Sequence, residues 1–307
     1  MNWLTSLFKK KQKIIVVCGP TATGKTEISI DLAQKYSAEI ISADSRQIYR
    51  GLDIGSAKIT VSEMNGIPHH MIDIADPKKV FSVQQYTKQA TDIINIISSR
   101  DNNIIICGGS GMYIDSLISG TTFPQVPPNP ELRQKLEQKS TNELYDLLQS
   151  KDPRRAKTID PDNPVRLVRA LEVIHMIGVV PKIRTKSKYQ VLYLGIDLPK
   201  KELDERIQKR VIDRFNHQNM LHEAISLHKN GLTYARMESL GLEYRYMARY
   251  LQKNISYDEM VSELIAKTIQ FSKRQRTWFK RNKNIHWFNP KTDSQKIDSL
   301  VSDFLRQ

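Results

Sequence analysis

The residues near the start of the chain that are best suited to chemistry form a glycine-rich loop. The run Gly19-Pro20-Thr21-Ala22-Thr23-Gly24-Lys25-Thr26 has the spacing G-x-x-x-x-G-K-T, and the apolar run 14–17 precedes it. The two glycines allow a tight turn whose N–H groups point inward at an oxyanion. Lys25 adds a positive charge, and Thr26 offers a hydroxyl to a Mg²⁺ ion. The loop predicts a phosphate site between a buried strand and a helix. Alone, it is typical of proteins that bind ATP or GTP.

A second group of polar side chains follows two further predicted strands. Asp44 and Gln47 come after the short run 39–42, and Ser110 lies in the glycine-rich turn after 104–107. Ligands bind at the carboxyl edge of open α/β sheets, so these side chains are expected beside the phosphate loop. A lone Asp there is often a helix cap or a Mg²⁺ ligand, but Asp44 can also act as a general base. Gln47 carries an amide that can pair with an adenine edge.

Positive charge is the strongest bias in the composition. The chain has 47 Lys+Arg against 33 Asp+Glu, a net charge of +14, which favours nucleic acid over a membrane as partner. Arg206, Arg210 and Arg214 recur every four residues on one predicted helix. Each alone is best explained by a solvated helix face, but as a stripe one member can reach a phosphate. Basic and aromatic residues alternate over 271–281, which suits nucleic acid, although these aromatics suit a protein core equally well.

Patterns that are absent from the sequence limit the possible cellular compartment and the possible roles of the cysteines. Cys18 and Cys107 show no C-x-x-C spacing, so we expect two buried thiols in a reducing cytoplasm and no zinc site. Residues 1–12 do not have the order of a secretory signal. No apolar run is long enough to span a bilayer. We therefore predict a cytoplasmic protein that does not contact membranes.

The elements that must position these residues follow an α/β pattern with one interruption. The β-α-β order with glycine-rich turns predicts a P-loop-type parallel sheet flanked by helices, whose first part is 12–123. A proline-rich stretch then opens a helical insertion domain over 124–190. Sheet character returns from 191. The segment 191–307 is expected to complete the catalytic core and to end in basic helices.

Several motifs occur in an order that resembles one family. They are 19–26, 43–55, 108–113, 162–172 and 273–279. Together they resemble the tRNA dimethylallyltransferase family, also called tRNA isopentenyltransferase, in its bacterial form and over nearly the whole chain. The resemblance implies that the dimethylallyl group of dimethylallyl diphosphate moves to N6 of adenosine 37 in the tRNA anticodon loop. It also implies that Mg²⁺ is required and that diphosphate is released.

The same resemblance implies roles for individual residues. Asp44 matches the family's general base, Ser110 matches a position that is usually Thr and contacts the diphosphate or the base, and Arg214 falls at the diphosphate-binding arginine. Thr26 would help to hold Mg²⁺. The residues expected to bind diphosphate are Gly19, Pro20, Thr21, Ala22, Thr23, Gly24, Lys25 and Thr26. The residues expected to contact tRNA are Asp44, Ser45, Arg46, Gln47, Ser110, Arg133, Val165, Arg166, Leu167, Val168, Arg169, Tyr244, Arg245 and Arg274.

The chain departs from the family at one segment near the RNA. It reads Leu242-Glu243-Tyr244-Arg245 where the family commonly has Gly-Tyr-Arg or Gly-Tyr-Lys. A carboxylate at Glu243 repels phosphate unless it turns away or hydrogen-bonds a base. This departure concerns tRNA preference or rate rather than the class of reaction.

Other functions remain open at this stage. They are adenylate prenyl transfer, a small-molecule P-loop kinase and a non-catalytic RNA-binding paralogue. The helical insertion and the basic C-terminal helix favour tRNA over adenylate, and Lys25, Thr26 and Asp44 argue against a non-catalytic protein. We expect a monomer that acts on the tRNA anticodon stem-loop.

Overall fold

A computed structural model describes residues 11–182, 185 and 187–307. The strands of this part of the chain are β1 Gln12–Cys18, β2 Ala38–Ser42, β3 His69–His70, β4 Asn103–Gly108, β5 Tyr189–Ile196 and β6 Ile285–Phe288. They form one sheet in the order β3-β2-β4-β1-β5-β6, and each pairing is parallel. The predicted α/β fold with a parallel P-loop-type sheet is confirmed.

The described helices cover the sheet and build the insertion. They are α1 Lys25–Lys35, α2 Val83–Ser98, α3 Gly111–Ile118, α4 Pro130–Glu137, α5 Thr141–Lys151, α6 Pro153–Ala156, α7 Pro164–Ile177, α8 Lys200–Asn216, α9 Met220–Lys229, α10 Tyr234–Ser239, α11 Leu242–Leu251, α12 Tyr257–Phe279 and α13 Ser294–Arg306. Local sequence fixes several ends. Ser82 forms a capping box with Gln85 at the start of α2, and Asn163 caps α7, which ends at the left-handed Gly178.

Alternate side chains of β1 enter different cores because successive residues of a strand point to opposite faces. Ile14 and Val16 pack in the larger cluster, whereas Ile15 and Val17 pack in the smaller one on the other side. A central parallel strand buried on both faces explains the continuous apolar run before the loop. The carboxyl ends of β1, β2 and β4 are neighbours in the sheet, so the turns after these strands meet.

The chain divides into two compact units. The larger comprises the described residues up to Ser119 together with Ser187–Gln307, and the smaller is Gly120–Lys186. The smaller unit has its own apolar core, which includes Leu144, Leu148 and Leu167. The insertion was predicted over 124–190, but Tyr189 and Gln190 pair with β1. Strand β5 therefore begins earlier than its most apolar residues suggest.

The edge strand β3 is only His69–His70, because Met71 and Asp73 have φ of 64° and 55° and turn the chain out of the extended conformation. The prediction about a secretory signal falls mostly on residues 1–10, outside the described residues. Within the described residues, none of the helices is long and apolar enough to cross a membrane.

Candidate active site

A cavity of about 520 Å³ lies where the turns after β1, β2 and β4 meet. Its wall includes the phosphate loop from Thr21 to Thr26, the polar residues Asp44 and Gln47, and Arg210 from α8. The structure thus brings together residues that are far apart in the sequence. All of them belong to the larger unit.

The phosphate loop has a backbone that demands glycine at both ends. Gly19 has φ of 141°, and a Cβ there would lie 2.2 Å from the Ile196 carbonyl oxygen. Gly24 has φ of 88° and precedes the first residue of α1. Inside the loop, the Thr23 hydroxyl donates to the Pro20 carbonyl at 2.9 Å. The loop is therefore pre-shaped by its own contacts, with the positive end of a helix at its last residue.

Lys25 supplies the charge of the loop. Its Nζ donates to the Pro20 carbonyl, and it lines the cavity. Burial lowers the pKa of Lys25, and the nearby Arg210 lowers it further, while Cys107 and Asp44 act in the opposite direction. A diphosphate in the cavity would remove this electrostatic penalty, since an anion favours the protonated amine.

Gln275 of α12 links the two glycine-rich turns of the cavity. Its Oε1 accepts from the Thr21 backbone N–H at 2.9 Å, and its Nε2 donates to the Gly109 carbonyl at 2.9 Å. A Cβ on Gly109 would lie 2.3 Å from that Nε2, so the glycine is needed for the contact. Sequence reasoning missed this role, because it weighed 271–281 for nucleic-acid binding and for core aromatics only. The packing of α12 against the loop, which brings Gln275 there, leaves no signal in the sequence.

Asp44 begins the turn that follows β2. Its Oδ1 accepts from the backbone N–H of Arg46 at 2.8 Å and of Gln47 at 3.4 Å. No hydrogen bond reaches its Oδ2 from the described part of the chain. The carboxylate is thus oriented through one oxygen, and the other is left to accept a proton.

Ser110 lies beside this turn but does not line the cavity. Its hydroxyl oxygen accepts from the Ser45 backbone N–H at 3.0 Å, and its own N–H donates to the Ala43 carbonyl at 3.1 Å. A Cβ on Gly108 would lie 2.2 Å from the Ala43 carbonyl oxygen. The two turns therefore pack backbone against backbone, and Ser110 positions the Asp44 turn through Ser45.

Arg210 is the member of the arginine stripe that contacts the phosphate loop. Its Nη2 donates to the Thr21 hydroxyl at 2.7 Å, and its buried Nε has no hydrogen-bond partner among the described residues. Burial, and then the neighbouring Arg214, lower the pKa of Arg210 to about 9. Arg210 is still charged at neutral pH, with a donor left over for an anion.

Arg214, which was predicted to bind diphosphate, lies beside the cavity on helix α8, and its role stays a prediction. The residue is 4% exposed and does not line the cavity. Its Nη1 donates to the Gly55 carbonyl at 3.4 Å and lies 3.9 Å from Glu243 Oε1. Glu243 thus turns toward a buried arginine. One helical turn of α8 separates Arg214 from Arg210, which lines the cavity.

Comparison with known proteins decides the family. A family model described as IPP transferase matches residues 47–282. The chain belongs to the IPP transferase family. A tRNA dimethylallyltransferase from Acaryochloris marina is 38% identical over 301 residues, which covers 96% of this chain and 98% of the relative. The resemblance stated from the motifs is confirmed.

Solved structures of this family agree with the fold. The full-length tRNA isopentenylpyrophosphate transferase from Bacillus halodurans has a TM-score of 0.74 and 33% sequence identity, covering 96% of this chain and 97% of that one. A eukaryotic dimethylallyltransferase acting on tRNA has a TM-score of 0.83 at 24% identity, covering 96% of this chain and 80% of that one. The second likeness supports the fold alone.

Four of the insertion residues predicted to contact tRNA make contacts within the insertion itself. Arg133 holds Glu172 with its Nε and Nη2, each at 2.9 Å. Arg169 also donates to Glu172 and to the Val126 carbonyl at 2.8 Å. Leu167 and Val168 are buried in the insertion's own core. Leu167 and Val168 thus point into the insertion, whereas Arg133 and Arg169 are paired with Glu172 and stay more than a third exposed. Contact of these residues with tRNA stays a prediction.

Two arginines of the insertion, Arg155 and Arg166, have no carboxylate ion-pair partner among the described residues. Arg166 is exposed at the start of α7, beside Val165, whose side chain is 77% exposed. Arg155 has a buried Nε without a hydrogen-bond partner in the described residues. Burial lowers the pKa of Arg155, and Arg166 and Arg154 lower it further. Sequence reasoning missed Arg155, although the consecutive arginines after Pro153 were a visible signal.

Three residues of the larger unit that were predicted to contact tRNA differ in the exposure of their side chains. Tyr244 is 1% exposed, and its hydroxyl donates to Glu223 Oε1 at 2.7 Å, so it packs inside the protein. Arg245 donates to the Glu238 carbonyl at 3.0 Å and stays partly exposed. Arg274 is exposed and lies 5.8 Å from the centre of the Phe271 ring, and that ring lines the cavity.

The two thiols differ in position. Cys18 is buried, whereas Cys107 is half-buried and lines the cavity. Burial raises the pKa of Cys18 to about 12 and also raises that of Cys107. Since the thiolate is the reactive form, both are unreactive near neutral pH.

Thr26 is the predicted Mg²⁺ ligand. Its exposed side chain lines the cavity at the start of α1. Among the described residues, no three His, Cys, Asp or Glu side chains form a metal-binding group. Mg²⁺ usually keeps several waters and takes one or two protein ligands together with substrate phosphates. A single hydroxyl beside a phosphate loop fits that mode of binding.

Proposed function

We propose that the protein transfers the dimethylallyl group of dimethylallyl diphosphate to N6 of adenosine 37 in the tRNA anticodon loop. One observation carries the proposal. One cavity is lined both by Lys25 and Arg210, whose charges suit a diphosphate, and by Asp44 and Gln47, whose side chains suit an adenine base. The membership of the chain in the IPP transferase family supports prenyl transfer to tRNA over the other candidate functions.

The phosphate loop holds the leaving group. The Thr21 N–H donates to Gln275, so the later N–H groups of the loop up to Gly24 would face the diphosphate, with Lys25 and Arg210 next to its oxygens. As the bond from carbon to oxygen breaks, negative charge grows on the departing diphosphate. Fixed donors in a cavity of low dielectric stabilise that charge most at the transition state.

Asp44 removes the proton from the attacking amine. The exocyclic N6 of adenine is a weak nucleophile because its lone pair is delocalised into the ring. N6 forms the new bond to the first carbon of the dimethylallyl group, the bond from that carbon to the diphosphate oxygen breaks, and the N6 proton passes to Asp44 Oδ2. Gln47 aligns the base through its amide, and the base must leave its stack to enter the cavity.

Thr26 would hold Mg²⁺ beside the loop. The ion supplies further neutralisation of the diphosphate charge when it is bound. Lys25 and Arg210 bind the diphosphate by their own charges, so orientation of the leaving group also comes from the protein.

On the insertion, we assign the RNA-facing surface to Arg155 and Arg166 with Val165. Their charges have no carboxylate partner among the described residues, which suits backbone phosphates. Arg133 and Arg169 instead stabilise the insertion through Glu172. On the larger unit, the exposed Arg274 is the basic residue assigned to RNA.

The test is incubation of the purified protein with dimethylallyl diphosphate and each candidate acceptor. Unmodified tRNA, AMP and ATP are compared by mass spectrometry of the nucleosides. We expect N6-dimethylallyladenosine in tRNA only. A prenylated nucleotide would favour the adenylate prenyltransferase, whereas ATP consumption without prenyl transfer would favour a kinase. A monomer acting in the cytoplasm stays a prediction.

A further inference from the structure

Glu223 of α9 binds one turn of the chain with an unusual number of hydrogen bonds. Its Oε2 accepts from the backbone N–H groups of Asp53 at 2.9 Å and Ile54 at 2.7 Å. Its Oε1 accepts from the N–H of Gly55 at 3.0 Å and from the Tyr244 hydroxyl at 2.7 Å. Three consecutive amides and a buried hydroxyl therefore converge on one carboxylate. Such convergent backbone donors form an anion-binding concavity, here filled by a side chain of the protein itself.

The bound turn is short and internally closed. The Ala57 N–H donates to the Ile54 carbonyl at 3.1 Å, and the Lys58 N–H donates to the Asp53 carbonyl at 2.9 Å. A Cβ on Gly55 would lie 2.7 Å from the Tyr244 hydroxyl oxygen, so the turn packs directly on this ring. A closed turn moves as one piece, and fixing its first residues fixes Ala57.

Ala57 connects the turn to the cavity. Its carbonyl accepts from Gln47 Nε2 at 2.9 Å, while the Ser42 hydroxyl donates to Gln47 Oε1 at 3.3 Å. These two contacts fix the orientation of the Gln47 amide, with Nε2 toward Ala57 and Oε1 toward Ser42. Gln47 and Ala57 both line the cavity. A side-chain amide distinguishes adenine by the order of its donor and acceptor, so this orientation decides recognition.

We propose that Glu223 is a positioning residue that acts through Gln47 on recognition of the acceptor base. The proposal rests on the proposed function, because it assigns the part of the cavity at Asp44 and Gln47 to adenine. Glu223 does not line the cavity and touches neither substrate. Its loss should weaken the use of tRNA without weakening the binding of dimethylallyl diphosphate, since no hydrogen bond among the described residues joins the phosphate loop to the turn that Glu223 holds.

The first test is Glu223→Gln. The substitution replaces one carboxylate oxygen with an N–H₂ group, which cannot accept a hydrogen bond from the donors that surround Glu223. We expect the KM for tRNA to rise about tenfold and kcat to fall, because small misplacements of a positioning group have effects of this size or larger. The KM for dimethylallyl diphosphate should stay within about twofold. Amide exchange at residues 53–55 should accelerate, a direct readout of the hydrogen bonds to Glu223.

Two further variants make the test specific. Tyr244→Phe removes one hydrogen bond to Glu223 and leaves the three backbone contacts, so a smaller effect in the same direction is expected. Glu259→Gln is the matched control, since Glu259 also accepts from a backbone N–H, that of Ser256 at 2.7 Å. It is exposed at the start of α12 and should leave the kinetic constants unchanged.

A double variant decides whether Glu223 acts through Gln47. In a Gln47→Leu background, Glu223→Gln should add less than about twofold, because residues that act along one chain of contacts are not additive. An additional tenfold loss there would overturn the proposal. So would a wild-type KM for tRNA in a folded Glu223→Gln protein. If the unaltered protein transfers nothing to tRNA, the proposed function itself fails, and amide exchange still tests whether Glu223 holds the turn.

Discussion

The Arg210 guanidinium donates to the Thr21 hydroxyl at 2.7 Å, which ties helix α8 to the phosphate loop. The same loop residue donates its backbone N–H to Gln275 of α12. Two helices from the C-terminal half of the chain thus hold a loop formed near its start. Because Arg210 Nε has no protein partner in the described residues, the guanidinium is restrained through one nitrogen and retains a donor for the diphosphate.

Exchange of Arg210 for Gln should separate its role from that of Arg214. Arg210→Gln is expected to lower kcat/KM about 10²–10³-fold, the usual loss on removing a donor to a developing oxyanion. Arg214→Gln should mainly lower the melting temperature, since Arg214 is buried against Gly55 and Glu243. Steady-state kinetics with varied dimethylallyl diphosphate measure the first effect, and thermal unfolding measures the second. If both variants fold well and lose kcat/KM equally, Arg214 also belongs to the diphosphate-binding site.

Exchange of Asp44 for Asn should stop chemistry while preserving the turn. Asn keeps an oxygen that can accept from the amides of Arg46 and Gln47 but cannot take up the N6 proton. We expect single-turnover transfer to slow about 10²–10⁴-fold, the range for general-base catalysis, with tRNA affinity unchanged.

The matched control for this variant is Asp76→Asn. Asp76 Oδ1 also accepts from a backbone N–H, that of Lys78 at 2.9 Å, but it does not line the cavity. It should transfer at the rate of the unaltered protein. A near-normal rate for Asp44→Asn would remove Asp44 as the base.

Local features were predictable from the sequence. The loop from Gly19 to Thr26 and the turn at Asp44 depend on residues within a few positions of each other, and the apolar runs before them set the strands. Their meeting at one sheet edge then follows from parallel topology.

Choices that depend on tertiary packing were not predictable. Arg210 and Arg214 lie one helical turn apart, so periodicity places both on one face of α8 and cannot say which one reaches the loop. Likewise, the side chains of Leu167 and Val168 point into the insertion, while Val165 points out. A motif of consecutive residues does not show that neighbouring residues of a helix point in different directions. Gln275 serves the loop only because α12 packs against it.

Removal of the two unpaired insertion arginines should weaken tRNA binding in a salt-dependent way. For the double variant Arg155→Gln, Arg166→Gln we expect the slope of log K against log salt to fall by about 1 for each lost phosphate contact. Binding isotherms at several salt concentrations provide the measurement. Arg306→Gln, an exposed arginine of α13, is the control for loss of charge alone. A slope equal to that of the unaltered protein would mean that Arg155 and Arg166 do not bind phosphate.

The ion-paired glutamate inside the insertion should make this unit sensitive to acid. Burial raises the pKa of Glu172, but the hydrogen bonds from Arg133, Asn129 and Arg169 outweigh it and hold the pKa below its ordinary 4.5. A depressed folded-state pKa contributes stability that is fully present above the unfolded value and is lost as pH falls through the folded value. The free energy of opening the insertion should therefore fall below about pH 4.5.

Glu172→Gln should remove this stability and reduce the acid dependence of the insertion. Some of that dependence should remain, because burial, which raises the pKa of Asp152 in the same unit, is outweighed by hydrogen bonds from the backbone of Arg155 and Val180, which lower that pKa. Glu172 is buried, but its arginine partners are more than a third exposed, so we expect a loss of about 3 kcal/mol, the low end for a broken buried pair. Hydrogen exchange over 120–186, corrected for the intrinsic rate at each pH, measures the free energy of opening. Glu143→Gln is the control, because Glu143 is an exposed capping residue of the same unit whose loss leaves no buried donor unpaired. If opening of the Glu172→Gln insertion keeps the acid dependence of the unaltered protein, another group must cause it.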